Sequence, residues 1–197
     1  MHNHLNRFLR LLFPLLLLGC SKAEDNPQME GQLCYFNWQG ASNTELVSVD
    51  PDGQNHRVLL KDNFTPTRTV GYERPKWSFD KTKVIFTSSR EVNTGLGDIF
   101  IINNDGTGIT NVTKTVDRHE SSASLSPDGQ TLVFSILDRS PINQLFLIDI
   151  NGNNFKQLTK FTNAATAYAY EPIWSYDGQK IIFTNKDAEK YNILFNR

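Results

Sequence analysis

Metal binding and nucleophilic catalysis need particular side chains at definite spacings, and the chain offers few of them. Asp50 and Asp52 lie in an Asp-Pro-Asp-Gly stretch that could open a calcium loop, but the residue expected to be its bidentate glutamate is Leu59. Beyond Cys20 the only histidines are His56 and His119, whose separation does not match a zinc site. No G-x-S-x-G motif of a serine hydrolase is present. We therefore predict no metal, no cofactor and no catalytic residue.

Cationic and aromatic residues with the chemistry of partner binding lie in polar stretches between apolar runs. Arginine and tyrosine are enriched at binding hot spots, because they combine a large contact area with hydrogen bonding. The candidate partner-binding residues are Arg90, Arg118, His119, Arg139, Tyr168 and Tyr170. The alternative is that each of them is an ordinary solvated loop residue. Their placement depends on the elements that flank them.

An internal repeat organises most of the chain. Phe86, Phe134 and Phe183 are separated by 48 and 49 residues, and each lies in an apolar run that follows a Ser-x-Asp sequence. A second apolar run and then an Asp-Gly or Asn-Gly pair follow in the first two copies. The segments that align at this period are 75–87, 123–135 and 172–184. Periods of this length are typical of repeat architectures.

Each repeat is predicted to be a four-stranded antiparallel sheet. Its β-branched and aromatic runs are too short for helices, and Asp-Gly is a strong hairpin signal. The strands of one unit are predicted as a, ending at Trp77; b, Lys83–Ser88; c, Asp98–Asn103; and d, Ile109–Thr113. Four such strands in every repeat predict the blades of an all-β propeller.

Partial copies flank the complete repeats. Strands b, c and d are predicted at Leu33–Trp38, Glu45–Val49 and His56–Leu60, and a final strand c at Asn192–Phe195. The total of 14 strands corresponds to three and a half blades. An open arc would expose the apolar faces of its end blades. We therefore expect the chain to be a truncated gene product. The alternatives are that it forms part of an oligomeric ring or that it is a small irregular propeller.

The connections between strands differ in length from one edge of a blade to the other. In an up-and-down blade the a–b and c–d turns share one edge, and the b–c and d–a connections share the other. The second set is long in this sequence, although about two to five residues suffice for a hairpin. All six candidate partner-binding residues belong to that set. We therefore predict that a partner binds there.

The repeats resemble the WD-like β-propeller repeat of the TolB family. That pattern runs P-x-W-S-P-D-G-x-x-I-x-F, then D-I-[FY] and an Asp-Gly turn, then L-T. The closest matches are Ser126-Pro127-Asp128-Gly129, Trp174-Ser175, Val112-Thr113 and Leu158-Thr159. Lys81 replaces the turn glycine in one copy, and Leu125 replaces the tryptophan in another. The resemblance covers residues 32–197 and implies the propeller fold, which by itself hosts many unrelated functions.

The first 19 residues have the features of a secretory signal peptide. Arg7 and Arg10 precede the apolar run Leu11–Leu18, which is shorter than the roughly 20 residues of a membrane-spanning helix. The Gly19-Cys20 junction resembles the lipobox of bacterial lipoproteins. The resemblance implies that residues 1–19 are removed and that Cys20 is lipidated. The alternative is an ordinary cleaved signal followed by a chance cysteine.

The residues after the cleavage site are predicted to form a tether and then the repeats. Residues 20–31 comprise the lipidated cysteine and a polar linker that contains Pro27, and residues 32–197 comprise the propeller repeats. Ser21, rather than an aspartate, follows Cys20, which in enteric-type sorting favours the outer membrane. Cys34 lies in an apolar run, so we predict a small buried side chain rather than a reactive thiol.

The charge balance narrows the choice of partner. With 20 basic and 21 acidic residues, the chain lacks the basic excess of a nucleic-acid binder. We predict a lipid-anchored, non-enzymatic propeller module of the bacterial cell envelope that binds a protein or a glycan. The resemblance to TolB implies a peptidoglycan-associated lipoprotein as that partner. The alternative is a truncated propeller domain of a serine peptidase or a polysaccharide lyase.

Overall fold

The computed structural model describes seven stretches of the chain. They are residues 32–38, 44–62, 72–91, 96–137, 142–162, 169–185 and 190–195. The predicted signal peptide, Cys20 and the tether lie outside these residues, as do Arg139 and Tyr168. Within the described stretches, no helix is long and apolar enough to cross a membrane.

In the described stretches, fourteen strands form four antiparallel sheets, which we call blades 1 to 4. Blade 1 contains β1 (Leu33–Trp38), β2 (Thr44–Val49) and β3 (Arg57–Asp62). Blade 2 contains β4 (Tyr72–Trp77), β5 (Lys83–Ser88), β6 (Asp98–Asn103) and β7 (Thr110–Asn111). Blade 3 contains β8 (His119–Leu125), β9 (Thr131–Leu137), β10 (Gln144–Asp149) and β11 (Lys156–Gln157). Blade 4 contains β12 (Ala169–Trp174), β13 (Lys180–Asn185) and β14 (Lys190–Phe195).

The strands of every blade pair in chain order, as the repeat predicts. The predicted fold class, the 14 strands and their division into blades of three, four, four and three strands are confirmed. The predicted bounds of β1, β5 and β6 are also those of the structure. These strands were predictable because turn residues bound each β-branched or aromatic run.

The fourth strand of a blade is shorter than the sequence predicts. The prediction for blade 2 was Ile109–Thr113, whereas β7 covers only Thr110–Asn111. The N–H of Ile99 donates to the Thr113 hydroxyl at 3.1 Å. At the end of β7, a side-chain hydroxyl therefore accepts the hydrogen bond that a backbone carbonyl would accept in a longer strand. The same arrangement recurs in blade 3, which explains why a threonine ends both complete copies of the repeat.

The turn between the first two strands of blades 2 to 4 is closed by a serine and an aspartate. In blade 3 the Ser126 hydroxyl donates to Asp128 Oδ1 at 2.5 Å and accepts from the N–H of Thr131 at 2.9 Å. Gly129 has a φ of 71°, a conformation that glycine adopts without steric cost. Lys81 occupies the same place in blade 2 with a φ of 58°. The turn geometry therefore survives the loss of its glycine.

The core lies between blades, because alternate residues of a strand face the preceding and the following blade. Ile85 belongs to the buried cluster that blade 2 shares with blade 3. Its neighbours Val84 and Phe86 belong to the cluster shared with blade 1, where the rings of Phe36 and Phe86 lie 5.7 Å apart. A buried side chain of this kind stabilises the fold by about 1.5–3 kcal/mol. Packing between neighbouring blades therefore holds the array together.

Cys34 packs at the edge of the cluster between blades 1 and 2. It is half-buried and forms no disulfide. Burial raises the pKa of its thiol to about 12, which the nearby Lys81 charge only partly offsets. The thiol stays protonated near neutral pH, in agreement with the prediction of a small apolar side chain.

Candidate partner-binding surfaces

The connections leave the blades at two opposite edges, because consecutive strands are antiparallel. We call them the turn edge and the loop edge. The turn edge comprises residues 50–56, 78–82, 104–109, 126–130, 150–155 and 175–179. The described part of the loop edge comprises residues 89–91, 96–97, 112–118, 142–143 and 158–162, with the strand ends next to them. The sequence predicts binding at the loop edge.

Two of the predicted arginines on the loop edge contact aromatic rings of the fold. The Arg90 guanidinium lies 5.8 Å from the centroid of the buried Phe100 ring. The Arg118 guanidinium lies 5.4 Å from the centroid of the Phe155 ring. Such cation–π contacts contribute about 0.5–1 kcal/mol where solvent is near. Both arginines therefore stabilise the blades themselves.

His119, the first residue of β8, is also engaged within the fold. Its Nδ1 accepts a hydrogen bond of 3.0 Å from the N–H of Gly97. Burial lowers the pKa of the imidazole, against the opposing charge of Glu73. The ring is therefore neutral near pH 7 and carries its proton on Nε2. A Cβ at Gly97 would lie 2.6 Å from a Thr87 methyl carbon, so this close approach requires glycine.

The remaining predicted residues contribute less to the described surface. Tyr170 lies in β12 opposite Thr184 and is half-buried. Arg139 and Tyr168 lie outside the described residues. The structure thus brings Arg118 and His119 together at the start of β8, whereas Arg90 follows β5 of blade 2 and Tyr170 lies in β12 of blade 4.

A buried carboxylate, Asp98, organises the loop edge beneath these side chains. Its Oδ2 accepts from the Asn111 amide at 2.8 Å, and its Oδ1 accepts from the Thr113 hydroxyl at 3.2 Å and the Thr115 N–H at 3.0 Å. Gln144 has the equivalent place in blade 3, where its Oε1 accepts from the Thr159 hydroxyl at 2.7 Å. A polar side chain at the start of the third strand therefore fixes the connection to the next blade.

A second buried carboxylate, Glu120, shares a hydroxyl with Asp98. The Thr115 Oγ1 lies 2.9 and 3.0 Å from the two Glu120 oxygens and 3.4 Å from Asp98 Oδ1. One hydroxyl proton cannot serve both acids. Burial raises the pKa of Glu120 to about 7, the Asp98 charge adds to that effect, and the Arg118 charge opposes it. The loop edge thus rests on a carboxyl group that titrates near neutral pH.

The first strands of blades 2 to 4 carry a matching irregularity near the propeller axis. Each of these strands has a β-bulge, and one bulge residue in each has a positive φ. These residues are Arg74 (54°) in blade 2, Ser122 (56°) in blade 3 and Glu171 (54°) in blade 4. Arg74 Nη1 donates to the Ser122 hydroxyl at 2.6 Å and to Glu171 Oε1 at 3.1 Å. Three blades therefore meet through one set of equivalent residues.

The turn edge carries two exposed aromatic residues at equivalent positions. Phe79 and Tyr176 are the middle residues of two Ser-x-Asp turns, and their side chains are 37% and 87% exposed. Their ring centroids lie 6.1 Å apart at an interplanar angle of 64°. Because they come from blades 2 and 4, this contact spans the turn-edge mouth of the axis. Exposed aromatic side chains in contact with each other are typical of binding surfaces.

A cavity of about 260 Å³ opens beside this aromatic pair. Its lining residues are Lys76, Trp77, Ser78, Phe79, Lys81, Ser124 and Ile173. Lys76, Ser124 and Ile173 are equivalent residues, each two positions after a bulge residue. Burial lowers the pKa of Lys76, while the Glu171 charge opposes the shift. The cavity therefore combines apolar walls with two amines.

A second cavity of about 230 Å³ lies between the turns of blades 3 and 4. It is lined by Ser126, Pro127, Asp128, Thr131, Trp174, Asp177, Gly178 and Gln179. The Ser126 hydroxyl and the Gln130 N–H hold the pKa of Asp128 below its usual range. The described residues contain no group of three or more His, Cys, Asp or Glu side chains placed to hold a metal ion.

The sequence contained a signal for the turn-edge aromatics. The family pattern places a proline between the serine and the aspartate of this turn, as Pro127 does in blade 3. Phe79 and Tyr176 replace it in blades 2 and 4. The long connections drew the prediction to the loop edge instead. Recognition of the axial contact also required the fold, because the two residues are far apart in the chain.

Comparison with known proteins agrees with this architecture. A Tol-Pal system protein TolB from Francisella tularensis subsp. tularensis is 29% identical over 116 residues, which are 58% of this chain and 25% of that relative. The chain therefore spans about a quarter of the length of the curated relative. Residues 69–197, more than half of the chain, match the family described as the TolB beta propeller domain.

Solved structures share the fold. TolB from Acinetobacter baumannii superimposes with a TM-score of 0.63 at 19% identity, over 83% of this chain and 38% of that one. An oligogalacturonate lyase gives a TM-score of 0.53 at 22% identity, over 75% of this chain and 37% of that one. At such identities the likeness concerns the fold alone. With the family match and the blades described above, the chain belongs to the TolB β-propeller domain family.

Proposed function

We propose that the chain is a lipid-anchored, non-enzymatic module of the bacterial cell envelope that binds a protein partner. The leader with Arg7, Arg10 and the Gly19-Cys20 junction supports the anchor and the location. The relative in Francisella tularensis is named a Tol-Pal system protein, which supports a protein rather than a glycan as the partner. The propeller of a peptidase or lyase, the alternative, has support from the fold alone.

The observation that carries the proposal is the exposed aromatic pair beside the axial cavity. Phe79 and Tyr176 present two rings that contact each other, and the Tyr176 side chain remains 87% exposed. Burial of an aromatic side chain and its geometry-dependent contacts stabilise protein interfaces strongly. The cavity next to them offers space for an apolar side chain of the partner, and Lys76 and Lys81 offer cations for a carboxylate.

The loop edge is the second surface proposed for a partner. Arg118 and Tyr170 represent it among the described residues, with Arg90 and His119 nearby. Arg139 and Tyr168 remain sequence predictions for the same surface. The internal contacts of Arg90, Arg118 and His119 favour the turn edge over this one.

Site-specific photo-cross-linking in cells tests the proposal. A photoreactive phenylalanine analogue replaces Tyr176 on the turn edge or Tyr170 on the loop edge, and the control replaces Val58, an exposed residue within β3 that belongs to neither edge. We expect a cross-linked envelope protein from position 176 and much less of it from positions 170 and 58. Capture from position 170 alone would assign binding to the loop edge. No adduct from either position would contradict the partner-binding function.

Metabolic labelling with an alkyne fatty acid tests the anchor. We expect the full-length chain to become labelled and to fractionate with membranes. Cys20→Ala should abolish both, and Cys34→Ala is the matched control that should change neither. Equal labelling of the Cys20→Ala chain, or a soluble unlabelled wild type, would contradict the lipid anchor.

A further inference from the structure

The cavity between the turns of blades 3 and 4 forms a site of its own, because neither Phe79 nor Tyr176 lines it. All of its lining residues belong to these two adjacent blades. The two turns approach each other at Gly178, where a Cβ would lie 3.7 Å from Pro127 Cδ. A volume of about 230 Å³ is smaller than the roughly 300–1,000 Å³ of sites for drug-sized ligands, so the cavity has room for a single small ring.

Two carboxylates line the cavity, and each uses only one of its oxygens within its own turn. Asp177 Oδ1 accepts from the Ser175 hydroxyl at 2.6 Å and from the Gln179 N–H at 3.0 Å, and Asp128 Oδ1 has the same two kinds of donor. No described residue donates a hydrogen bond to the Oδ2 of either aspartate. The turn donors hold the pKa of both carboxyl groups below the usual range, so both are ionised near neutral pH. Two acceptor oxygens are therefore available to a ligand.

A buried donor without an acceptor also belongs to the lining. Trp174 is 4% exposed, and its indole Nε1 has no hydrogen-bond partner among the described residues. A buried N–H that lacks an acceptor costs about 1–3 kcal/mol, and native structures contain few of them. A ligand oxygen that accepts from this N–H removes that cost. The indole therefore favours a ligand that accepts hydrogen bonds as well as donating them.

These groups together select the chemical class of the ligand. The two carboxylates repel an anion, since the described lining residues include no lysine or arginine and the Lys180 charge acts on Asp177 from outside the lining. A metal ion or an ammonium group suits the carboxylates but cannot accept from the indole N–H. A hydroxyl group donates to a carboxylate and accepts from an N–H, and a sugar ring carries several hydroxyl groups. Pro127 and Trp174 add apolar surface for the C–H groups of such a ring.

We propose that this cavity binds one neutral sugar ring, whose hydroxyl groups donate to Asp128 and Asp177 and accept from the Trp174 indole. Thr131 and Gln179 also line the cavity and add a hydroxyl and an amide to the hydrogen-bonding groups. A sugar that carries a carboxylate is excluded by its charge. The site is separate from the aromatic pair proposed for a protein partner, so the failure of one proposal leaves the other standing.

Saturation-transfer NMR on the purified full-length chain, in a detergent without a sugar headgroup, tests the site. The probes are glucose, galactose, mannose and N-acetylglucosamine, and the first three are also supplied as the uronates that differ only at C6. We expect at least one neutral sugar to bind and its uronate to bind about tenfold more weakly or worse. This comparison needs no variant, so it does not depend on how any substitution affects folding.

Substitutions in equivalent turns assign the binding to this cavity. Asp128→Asn and Asp177→Asn keep the oxygen that closes the turn but remove the charge, and each should weaken sugar binding about tenfold. Asp80→Asn is the matched control and should leave the affinity unchanged, because Asp80 closes the same turn in blade 2 and lies outside the lining. Absence of binding by all four neutral sugars, equal binding of a uronate, binding of methylguanidinium in place of the sugars, or equal loss in the Asp80 variant would each overturn the proposal.

Discussion

The loop edge and the turn edge use their polar and aromatic residues in opposite ways. On the loop edge, Arg90, Arg118 and His119 contact rings and backbone of their own blades above the buried acids Asp98 and Glu120. On the turn edge, the Ser-x-Asp hydrogen bonds satisfy the backbone locally and leave the middle residue free. Phe79 and Tyr176 occupy that position and are exposed. A long connection therefore needs internal contacts to be ordered, whereas a short turn can present its side chain outward.

The largest effect is expected from removal of the loop-edge carboxylate. Asp98→Ala leaves the Thr115 N–H and the Thr113 hydroxyl without their acceptor and leaves the Asn111 amide with Glu91 alone, and an unsatisfied buried polar group costs about 1–3 kcal/mol. We expect the free energy of unfolding to fall by about 3 kcal/mol or more. Urea denaturation followed by tryptophan fluorescence measures it. Asp117→Ala, on the exposed part of the same connection, is the control and should change the free energy of unfolding little. An equal decrease in both variants would show that the buried position of Asp98 is not what stabilises the loop edge.

Glu120 should make stability depend on pH. Its folded pKa of about 7 lies above the ordinary value of 4.5, so the folded state retains a proton that the unfolded state releases. The stability it contributes is complete below about pH 4.5 and is lost as pH rises through about 7. Relative to wild type, Glu120→Gln should therefore gain roughly 3 kcal/mol in unfolding free energy between pH 4.5 and pH 8. Parallel pH profiles of the two proteins would show that folding leaves the pKa of Glu120 at its ordinary value.

Arg118 and Tyr176 offer a smaller, direct contrast between the two edges. Arg118→Ala removes a cation–π contact with Phe155 and should lower the free energy of unfolding by about 0.5–1 kcal/mol. Tyr176→Ala removes a mostly exposed ring and should change stability less. Denaturant midpoints of the two variants measure the difference. A larger loss for Tyr176→Ala would mean that the aromatic pair serves the fold.

The smallest effect concerns the turn that presents Phe79. Lys81 holds a φ of 58°, where Gly129 in blade 3 has 71°. Lys81→Gly should raise the free energy of unfolding by a few tenths to about 1 kcal/mol, because glycine adopts this conformation without the Cβ penalty. The reciprocal Gly129→Lys should lower it by a similar amount. Thermal denaturation of both variants tests whether the two turns are equivalent.

The sequence predicts the blades well because their signals are local. The β-branched and aromatic run within Lys83–Ser88, the Ser-x-Asp turns and the Asp-Gly pairs each depend on a few neighbouring residues. The bulges at Arg74, Ser122 and Glu171 were not predicted, because a register shift is a property of two paired strands.

The candidate surfaces were harder to predict from the sequence. Arg118 and Phe155 are far apart in the chain, so the sequence could not show that this arginine is already engaged. The burial of Glu120 next to Asp98 likewise depends on blades 2 and 3 packing together. Phe79 and Tyr176 could have been recognised as departures from the proline of the family pattern. Their contact across the axis required the propeller itself.

Affinity for the cross-linked envelope partner, measured by titration calorimetry, tests the central claim most directly. Two matched double variants are compared with wild type: Phe79→Ser with Tyr176→Ser on the turn edge, and Arg118→Ser with Tyr170→Ser on the loop edge. The turn-edge variant is predicted to weaken binding at least tenfold, about 1.4 kcal/mol, and the loop-edge variant less than threefold. Loss of affinity in the loop-edge variant with full affinity in the turn-edge variant would contradict the account.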